Sequence, residues 1–392
     1  MHRELVERRR WIGETLFMRA LNFCVLLPGP EAQQLATFIG WRFHGIPGGL
    51  VAGGLFVLPS ILVLLVLSWL VAAYGDVPSV SGLLYGVRPV VVAVVLDALL
   101  RIGRRTLRHA VLVAIAAAAY VALQVLAIPF PLVVVLAGTS AVLLRRLVPA
   151  AFDGVGPTVE PGRSAGSGPR GHVRRAATFV AAFLVLWAVP VGALVLTVGD
   201  ADVLVREAIF FTQAAFVTFG GAYAVLAYIA RAAVVDFGWL TQAEMVHGLG
   251  LAESTPGPLI MVTQYVGSLA AWKLHPEAPL AYLVLGGLVT TYVTFLPSFF
   301  LVLLAAPYVE RLAADVRAHA ALVGVTAAVV GVIAYLATFF GATVLFDGGR
   351  LDVFAAVSAA ATFIVLRSTR VPVPILVPIG ALLGLAWRLR LT

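Results

Sequence analysis

Charged residues are scarce in this sequence. Asp, Glu, Lys and Arg make up 12% of the 392 residues, whereas hydrophobic residues make up 61%. Soluble globular proteins contain about 25% charged and about 45–50% apolar residues. Apolar runs of roughly 20 residues recur along the whole chain, and each can cross a hydrocarbon core of about 30 Å. The composition excludes a sizeable soluble domain and predicts membrane-spanning segments, which must be helical because backbone amides cannot stay unpaired in lipid.

Cysteine and the common catalytic motifs are also missing. The single cysteine, Cys24, excludes an internal disulfide and a cysteine-based metal cluster. The sequence has no HExxH pair, no GxSxG elbow and no Walker A loop. We therefore expect no catalytic residues, no metal, no cofactor and no ATP-driven pumping by this chain alone. The formal charge of +8 is not interleaved with exposed aromatic residues, so nucleic acid is not an expected partner either.

One polar stretch divides the apolar pattern. Residues 149–175 are rich in Gly, Pro, Ser and Arg and predict a flexible cytoplasmic linker. Residues 1–148 then form a first repeat, and residues 176–392 form a connecting helix plus a second repeat.

Three apolar segments are interrupted by Pro or Gly, at about 15–43, 207–235 and 240–272. When each of these enters and leaves on one face, most of the 27 Lys and Arg residues fall on the cytoplasmic side, as the positive-inside rule requires.

The chain contains an internal repeat at a nearly constant offset. The matching pairs are RELVERRRW (3–11) with RAAVVDFGW (231–239), LLPGPEAQQ (26–34) with STPGPLIMV (254–262), FVLPS (56–60) with TFLPS (294–298), GVRPVVVAV (86–94) with GVTAAVVGV (324–332), and IPFPLVVV (128–135) with VPVPILVP (371–378). The segment 176–198 crosses the membrane before the second copy begins, so the copies are expected to be inverted. The predicted fold is an all-α polytopic membrane protein of two inverted repeats with Pro/Gly-broken re-entrant helices, an architecture typical of transporters.

The two Pro-Gly-Pro turns predict an anion site. Proline ends a helix, and the next helix then starts with backbone N–H groups that have no helical partner. A helix N-terminus binds anions without a charged side chain. The break FVTFGGAYA (216–224) offers a further backbone nest. The candidate substrate-binding residues are Pro28, Gly29, Pro30, Gln33, Gln34, Arg88, Gly220, Gly221, Ser254, Thr255, Pro256, Gly257, Pro258 and Gln264.

Three acidic residues are candidates for a coupling role, because ionisable groups at membrane depth are costly and usually functional. They are Glu31, Glu253 and Asp97. Glu31 could instead cap the positive end of its helix. Arg88 could line the path or extend to an interface, and His247 is expected to be solvated near the outer entrance.

The motifs FGGAYAVL and GLAESTPGP, together with LNFCVLLPGPEAQQLATFIGWR and FVLPS, resemble the chromate ion transporter family in its long, two-domain form. The resemblance implies a multi-pass protein of the bacterial inner (plasma) membrane. It further implies export of chromate, a sulfate-like tetrahedral dianion, driven by the proton motive force or by anion exchange, and hence chromate resistance. The expected partners are this oxyanion and membrane lipid, and a homodimer is compatible with this interpretation.

The chain departs from the family pattern at its start. In the family the first copy also opens with an FGG-type segment, whereas the counterparts of Gly220 and Gly221 would here precede residue 1. The first repeat is therefore expected to be truncated, and the site to depend on the second copy. Two alternatives stay open: a carrier of sulfate or another oxyanion, and an intramembrane enzyme acting on an anionic lipid-linked substrate.

Overall fold

The computed structural model describes residues 1–152, 169–219, 221–308 and 316–390, and the secondary structure in these ranges is helical apart from one pair of two-residue strands. The strands are β1 (Phe346–Asp347) and β2 (Arg350–Leu351). The α-helices are α1 (Glu14–Leu26), α2 (Glu31–Tyr74), α3 (Pro78–Thr106), α4 (Ala110–Gln124), α5 (Phe130–Leu144), α6 (Pro169–Val198), α7 (Val203–Phe216), α8 (Ala222–Arg231), α9 (Gln242–Ser254), α10 (Val262–Leu274), α11 (Pro279–Ala305), α12 (Val316–Leu345), α13 (Val353–Ser368) and α14 (Val373–Leu389). The predicted all-α polytopic fold is confirmed.

Five of these helices are long and apolar enough to cross a membrane: α2, α3, α6, α11 and α12. The 44 residues of α2 would extend about 66 Å if they were straight, roughly twice a hydrocarbon core. The chain instead reverses at His44 and Gly45, whose backbone angles are not helical. Gly40 packs directly against the carbonyl of Gly48 across this reversal. We therefore divide α2 into a short arm (31–43) and a long arm (46–74).

The three interrupted segments break where the sequence predicts. α1 gives way to α2 at the first Pro-Gly-Pro turn, α7 ends at Phe216 before α8 begins at Ala222, and α9 gives way to α10 at the second Pro-Gly-Pro turn. Gly29 has φ +129° and Gly257 has φ +132°. Only glycine adopts such angles without a steric penalty, so each turn depends on its central residue. A short 3-10 turn, Leu259–Met261, then leads into α10.

A long helix of each half packs against helices of the other half. In the first half, α3 packs against α13 and α14 of the second half, and α12 of the second half packs against α4 and α5 of the first. The closest approaches use small residues, since Gly86 lies against the carbonyl of Gly380 and Gly324 lies against the carbonyl of Ala137. The core therefore contains residues of both halves, because α3 and α12 each pack against helices of the other half.

The structure describes the two ends of the predicted linker 149–175. Pro149–Ala151 form a 3-10 turn, and the Phe152 side chain that follows is only 2% exposed. At the other end, α6 already begins at Pro169. Apolar Ala and Phe residues at the start of the stretch pack despite its polar average, which composition alone could not show. Residues 153–168 lie outside the described part of the chain.

Candidate functional site

The three broken segments contact one another. The backbone N–H of Gly29 donates to the carbonyl of Thr218 at 2.8 Å, which joins the first Pro-Gly-Pro turn to the break between α7 and α8. The turn Leu259–Met261 packs against both α2 and α8. The first Pro-Gly-Pro turn, at the start of α2, thus lies beside the break before α8, and a helix N-terminus carries N–H groups without helical partners and a positive dipole end. The N–H of Gly29 itself is not free, contrary to the expectation from sequence.

A serine from the other half lies against each Pro-Gly-Pro turn. Ser60 Oγ donates to the carbonyl of Pro256, and a Cβ on Gly257 would overlap that hydroxyl. Ser298 Oγ donates to Gln33 Oε1 at 2.6 Å. A Cβ on Gly29 would lie 3.0 Å from Ser298 Oγ. Sequence reasoning did not name either serine, although both end the matched FVLPS and TFLPS motifs, which was the signal available.

The three predicted glutamines are all buried, and Gln34 bonds directly to the first turn. Gln34 Nε2 donates to the carbonyl of Pro28 at 2.8 Å. Gln264 Nε2 donates to the carbonyl of Ile61 at 2.8 Å. Gln33 Nε2 donates to Thr37 Oγ1 at 2.9 Å. These uncharged side chains form a polar layer between the two halves.

Three buried hydroxyl groups close to this layer lack a hydrogen-bond partner among the described residues: those of Thr263, Ser268 and Thr294. Thr263 follows the turn at the start of α10, and Thr294 lies one turn before Ser298 on α11. Buried hydroxyls are normally paired, and a hydroxyl can donate to an anion. The layer therefore holds spare neutral donors.

Ser254 and Thr255 are placed differently from the sequence expectation. Ser254 Oγ donates to the carbonyl of Leu251 at 2.9 Å, and Thr255 Oγ1 donates to the carbonyl of Ala252 at 3.0 Å. Both hydroxyl protons are thus used to end α9. A hydroxyl has a single proton to donate, so these two side chains do not offer donors to an anion.

The predicted coupling residues lie in different surroundings. Glu253 accepts a hydrogen bond from Tyr223 in the first turn of α8, and the charge of Arg101 acts on it. Asp97 lies 3.7 Å from Arg367 and 4.0 Å from Arg101, so it belongs to an ion-pair cluster at the predicted cytoplasmic end. Glu31 is partly buried in the first turn of α2.

Arg88 is not brought to the Pro-Gly-Pro turns. Its Nε donates to His247 Nε2 at 2.8 Å. Both side chains line a separate polar cavity of about 410 Å³, together with Asp76, Glu244 and Lys273. His247 is only 6% exposed, so the expectation that it is solvated is wrong. It occupies the face of α9 that packs on α3, and periodicity alone could not show that face.

The structure describes one of the two glycines of the predicted backbone nest in FVTFGGAYA. Gly221 is the N-cap of α8 with φ +100°. Gly220 lies outside the described residues. The structure thus brings together the two Pro-Gly-Pro turns, the three glutamines and the break next to Gly221, and it separates Arg88 from them. The charge of Asp97 acts on Tyr223, two residues after Gly221.

Comparison with known proteins gives one consistent result. The chain matches the model of a family described as "Chromate transporter" over residues 1–143 and 206–385. It is 32% identical over 346 residues to the chromate transport protein of Pseudomonas aeruginosa, covering 85% of this chain and 73% of that protein. It is 27% identical over 384 residues to a "Probable chromate transport protein" of Synechococcus elongatus, with 98% and 88% covered. It is 27% identical over 387 residues to the chromate transport protein of Cupriavidus metallidurans, with 98% and 86% covered. No solved structure matches the chain.

Proposed function

Because the chain belongs to the chromate transporter family, we propose that this multi-pass bacterial membrane protein exports chromate and thereby confers resistance to it. The observation that supports the proposal best is the bond from Gly29, at the start of α2, to Thr218 in the break before α8, together with the packing of the turn Leu259–Met261 against α2 and α8. Backbone N–H groups and neutral hydroxyls suit a tetrahedral oxyanion. They also bind without a fixed countercharge, so the anion can leave again.

Pairs of equivalent contacts support the proposed inverted repeats. Two contacts recur at the offsets found in the sequence: Gly86 with Gly380 matches Gly324 with Ala137, and Gly29 with Ser298 matches Gly257 with Ser60. The contact of Gly40 with Gly48 resembles that of Gly267 with Gly286, although the first of these glycines is displaced by one residue from the sequence offset. Such a pairing suits alternating access, in which one repeat rocks against the other around a central site.

The energy coupling is part of the proposal. Glu253 lies at the end of α9, one residue before the hinge segment Ser254–Pro258, and its partner Tyr223 lies on α8. A proton that binds to or leaves Glu253 would change this contact between two of the broken segments. We assign export coupled to the proton motive force on this basis, with anion exchange as the passive mode of the same site.

Counterflow of labelled chromate and labelled sulfate in proteoliposomes tests this function. Wild-type protein is expected to exchange chromate, and comparable exchange of sulfate would identify a general oxyanion carrier. Gly257→Leu is expected to be inactive because its side chain would overlap Ser60. Gly54→Leu is the matched control, since Gly54 lies on the exposed face of α2 with open space around it. The site is wrong if neither anion moves, or if Gly257→Leu transports as wild type does.

A further inference from the structure

Glu207 is a buried acidic residue that none of the roles above uses. It lies in the second turn of α7 and its side chain is 0% exposed. Neither carboxylate oxygen has a hydrogen-bond partner among the described residues. A carboxylate that is removed from water needs a partner for its charge. The position therefore suits a carboxyl group that carries a proton.

A line of exchangeable groups connects Asp202, five residues before Glu207, to the surface. Asp202, the N-cap of α7, accepts from the N–H of Leu204 at 2.8 Å, and its other oxygen lies 3.0 Å from His275 Nε2. His275 Nδ1 lies 2.8 Å from the exposed carboxylate of Glu277. The charge of Asp202 acts on Glu207. An imidazole held between two carboxylates can take a proton on one ring nitrogen and release one from the other.

Glu277 lies where it can accept protons from the outer solution. Its own backbone N–H and then the His275 ring hold the pKa of Glu277 below its usual value. It therefore stays ionised at neutral pH, at the end of the molecule that the charge pattern predicts to be outside. Tyr282 stacks on the His275 ring with 3.6 Å between the ring centroids, which fixes the imidazole between its two partners.

The helix that carries Glu207 also reaches the anion site. From Glu207, α7 runs on to Phe216 and the break in which Thr218 accepts the N–H of Gly29. Along its length α7 packs against α11, the helix that carries Ser298. A change in charge at Glu207 can therefore displace a rigid element that contacts the first Pro-Gly-Pro turn.

Other ionisable groups surround α7. Those with described side chains on α7 and on the helices packed against it are Arg174, Arg175, Arg206, Tyr223, Tyr228, Arg231, Tyr265, Lys273, Tyr282 and Tyr292. Lys273 is paired with Glu244 at 2.6 Å, and Tyr223 donates to Glu253. Asp202 is the group whose charge bears on Glu207 itself.

We propose that Glu207 is the outer proton-binding site of the transport cycle, loaded from the surface through Glu277, His275 and Asp202. The inference rests on the proposed transport function. The proton that binds a Glu207 oxygen leaves Asp202, Asp202 regains one from His275 Nε2, and His275 Nδ1 regains one from the surface. No other bond forms or breaks.

The transport test compares two assays in proteoliposomes: chromate counterflow at equal pH, and chromate flux driven by a pH gradient. Glu207→Gln is expected to lose the stimulation by the gradient. The matched control Asp200→Asn, an exposed carboxylate in the turn before α7, is expected to keep it. The proposal is overturned if Glu207→Gln is stimulated as strongly as wild type. Absence of counterflow by wild-type protein would instead overturn the proposed function.

A second measurement does not depend on transport. In the infrared spectrum of the purified protein, wild type is expected to show a carbonyl band of a protonated carboxyl group that Glu207→Gln lacks. His275→Gln leaves Glu207 in place but removes the group beside Asp202, so exchange of that carboxyl proton for deuterium is expected to slow. Identical carboxyl bands in wild type and Glu207→Gln, or an unchanged exchange rate in His275→Gln, would contradict the proposal.

Discussion

The two halves of the chain carry the same turn in unequal surroundings. In the second half, α7 and α8 pack around α10, α11 and the turn that precedes α10. In the most apolar stretch of α11, 50% of the residues are buried. In the most apolar stretch of α2 in the first half, only 22% of the residues are buried. Besides its bond to Gln34, the first turn contacts the second half, since Gly29 bonds to Thr218 and lies against Ser298. Damage to the second half should therefore affect both turns.

The largest difference is expected between the two turn glycines. Gly257→Ala would place a Cβ at φ +132° and into the hydroxyl of Ser60, which is itself held by Pro256. Backbone strain and overlap together should cost about 2–4 kcal/mol of stability and abolish transport. Thermal unfolding in detergent and chromate counterflow measure the two effects.

Gly29→Ala should be milder, although its φ is +129°. The nearest atom to its Cβ would be Nε2 at the far end of the flexible Gln34 side chain, at 2.6 Å. A greater loss of stability in Gly29→Ala than in Gly257→Ala would reverse the ranking of the two halves.

Adding Ser60→Gly to Gly257→Ala should recover part of the lost stability, because the overlap disappears and only the backbone strain is left.

The sequence was sufficient to locate the breaks and insufficient to place their partners. Pro-Gly-Pro turns act locally through φ and lost N–H groups, so their positions could be predicted. The bonds from Ser60 to Pro256 and from Ser298 to Gln33 join residues about 200 or more positions apart, and periodicity carries no information on such pairs. For the same reason Arg88 was assigned to the central site, whereas it is paired with His247 in a separate cavity.

A smaller difference is expected between the acidic residues beside the two turns. Tyr223→Phe removes the hydroxyl that donates to the partly buried Glu253, and a hydrogen bond to a charged group contributes about 1.5–3 kcal/mol. Glu31→Gln removes a charge only from a partly buried helix start, which should change stability by about 0.3–1 kcal/mol. Denaturation of both purified variants compares them, with Tyr292→Phe, an exposed tyrosine on α11 that also donates a hydrogen bond, as the control. Equal losses would remove the distinction between the two turns.

The smallest difference is expected away from both turns, at matched positions of α2 and α11. Leu55 is 61% exposed, whereas Val293, at the equivalent position 238 residues later, is 1% exposed. A side chain that faces lipid keeps apolar neighbours when the helix separates, so Leu55→Ala should change stability by less than about 0.5 kcal/mol. Val293→Ala removes dispersion contacts between packed helices and should cost about 1 kcal/mol. Unfolding of the two variants in one detergent measures this pair. If Leu55→Ala costs as much as Val293→Ala, the exposed face of α2 is covered by protein in the membrane, and the two halves are more alike than their burial indicates.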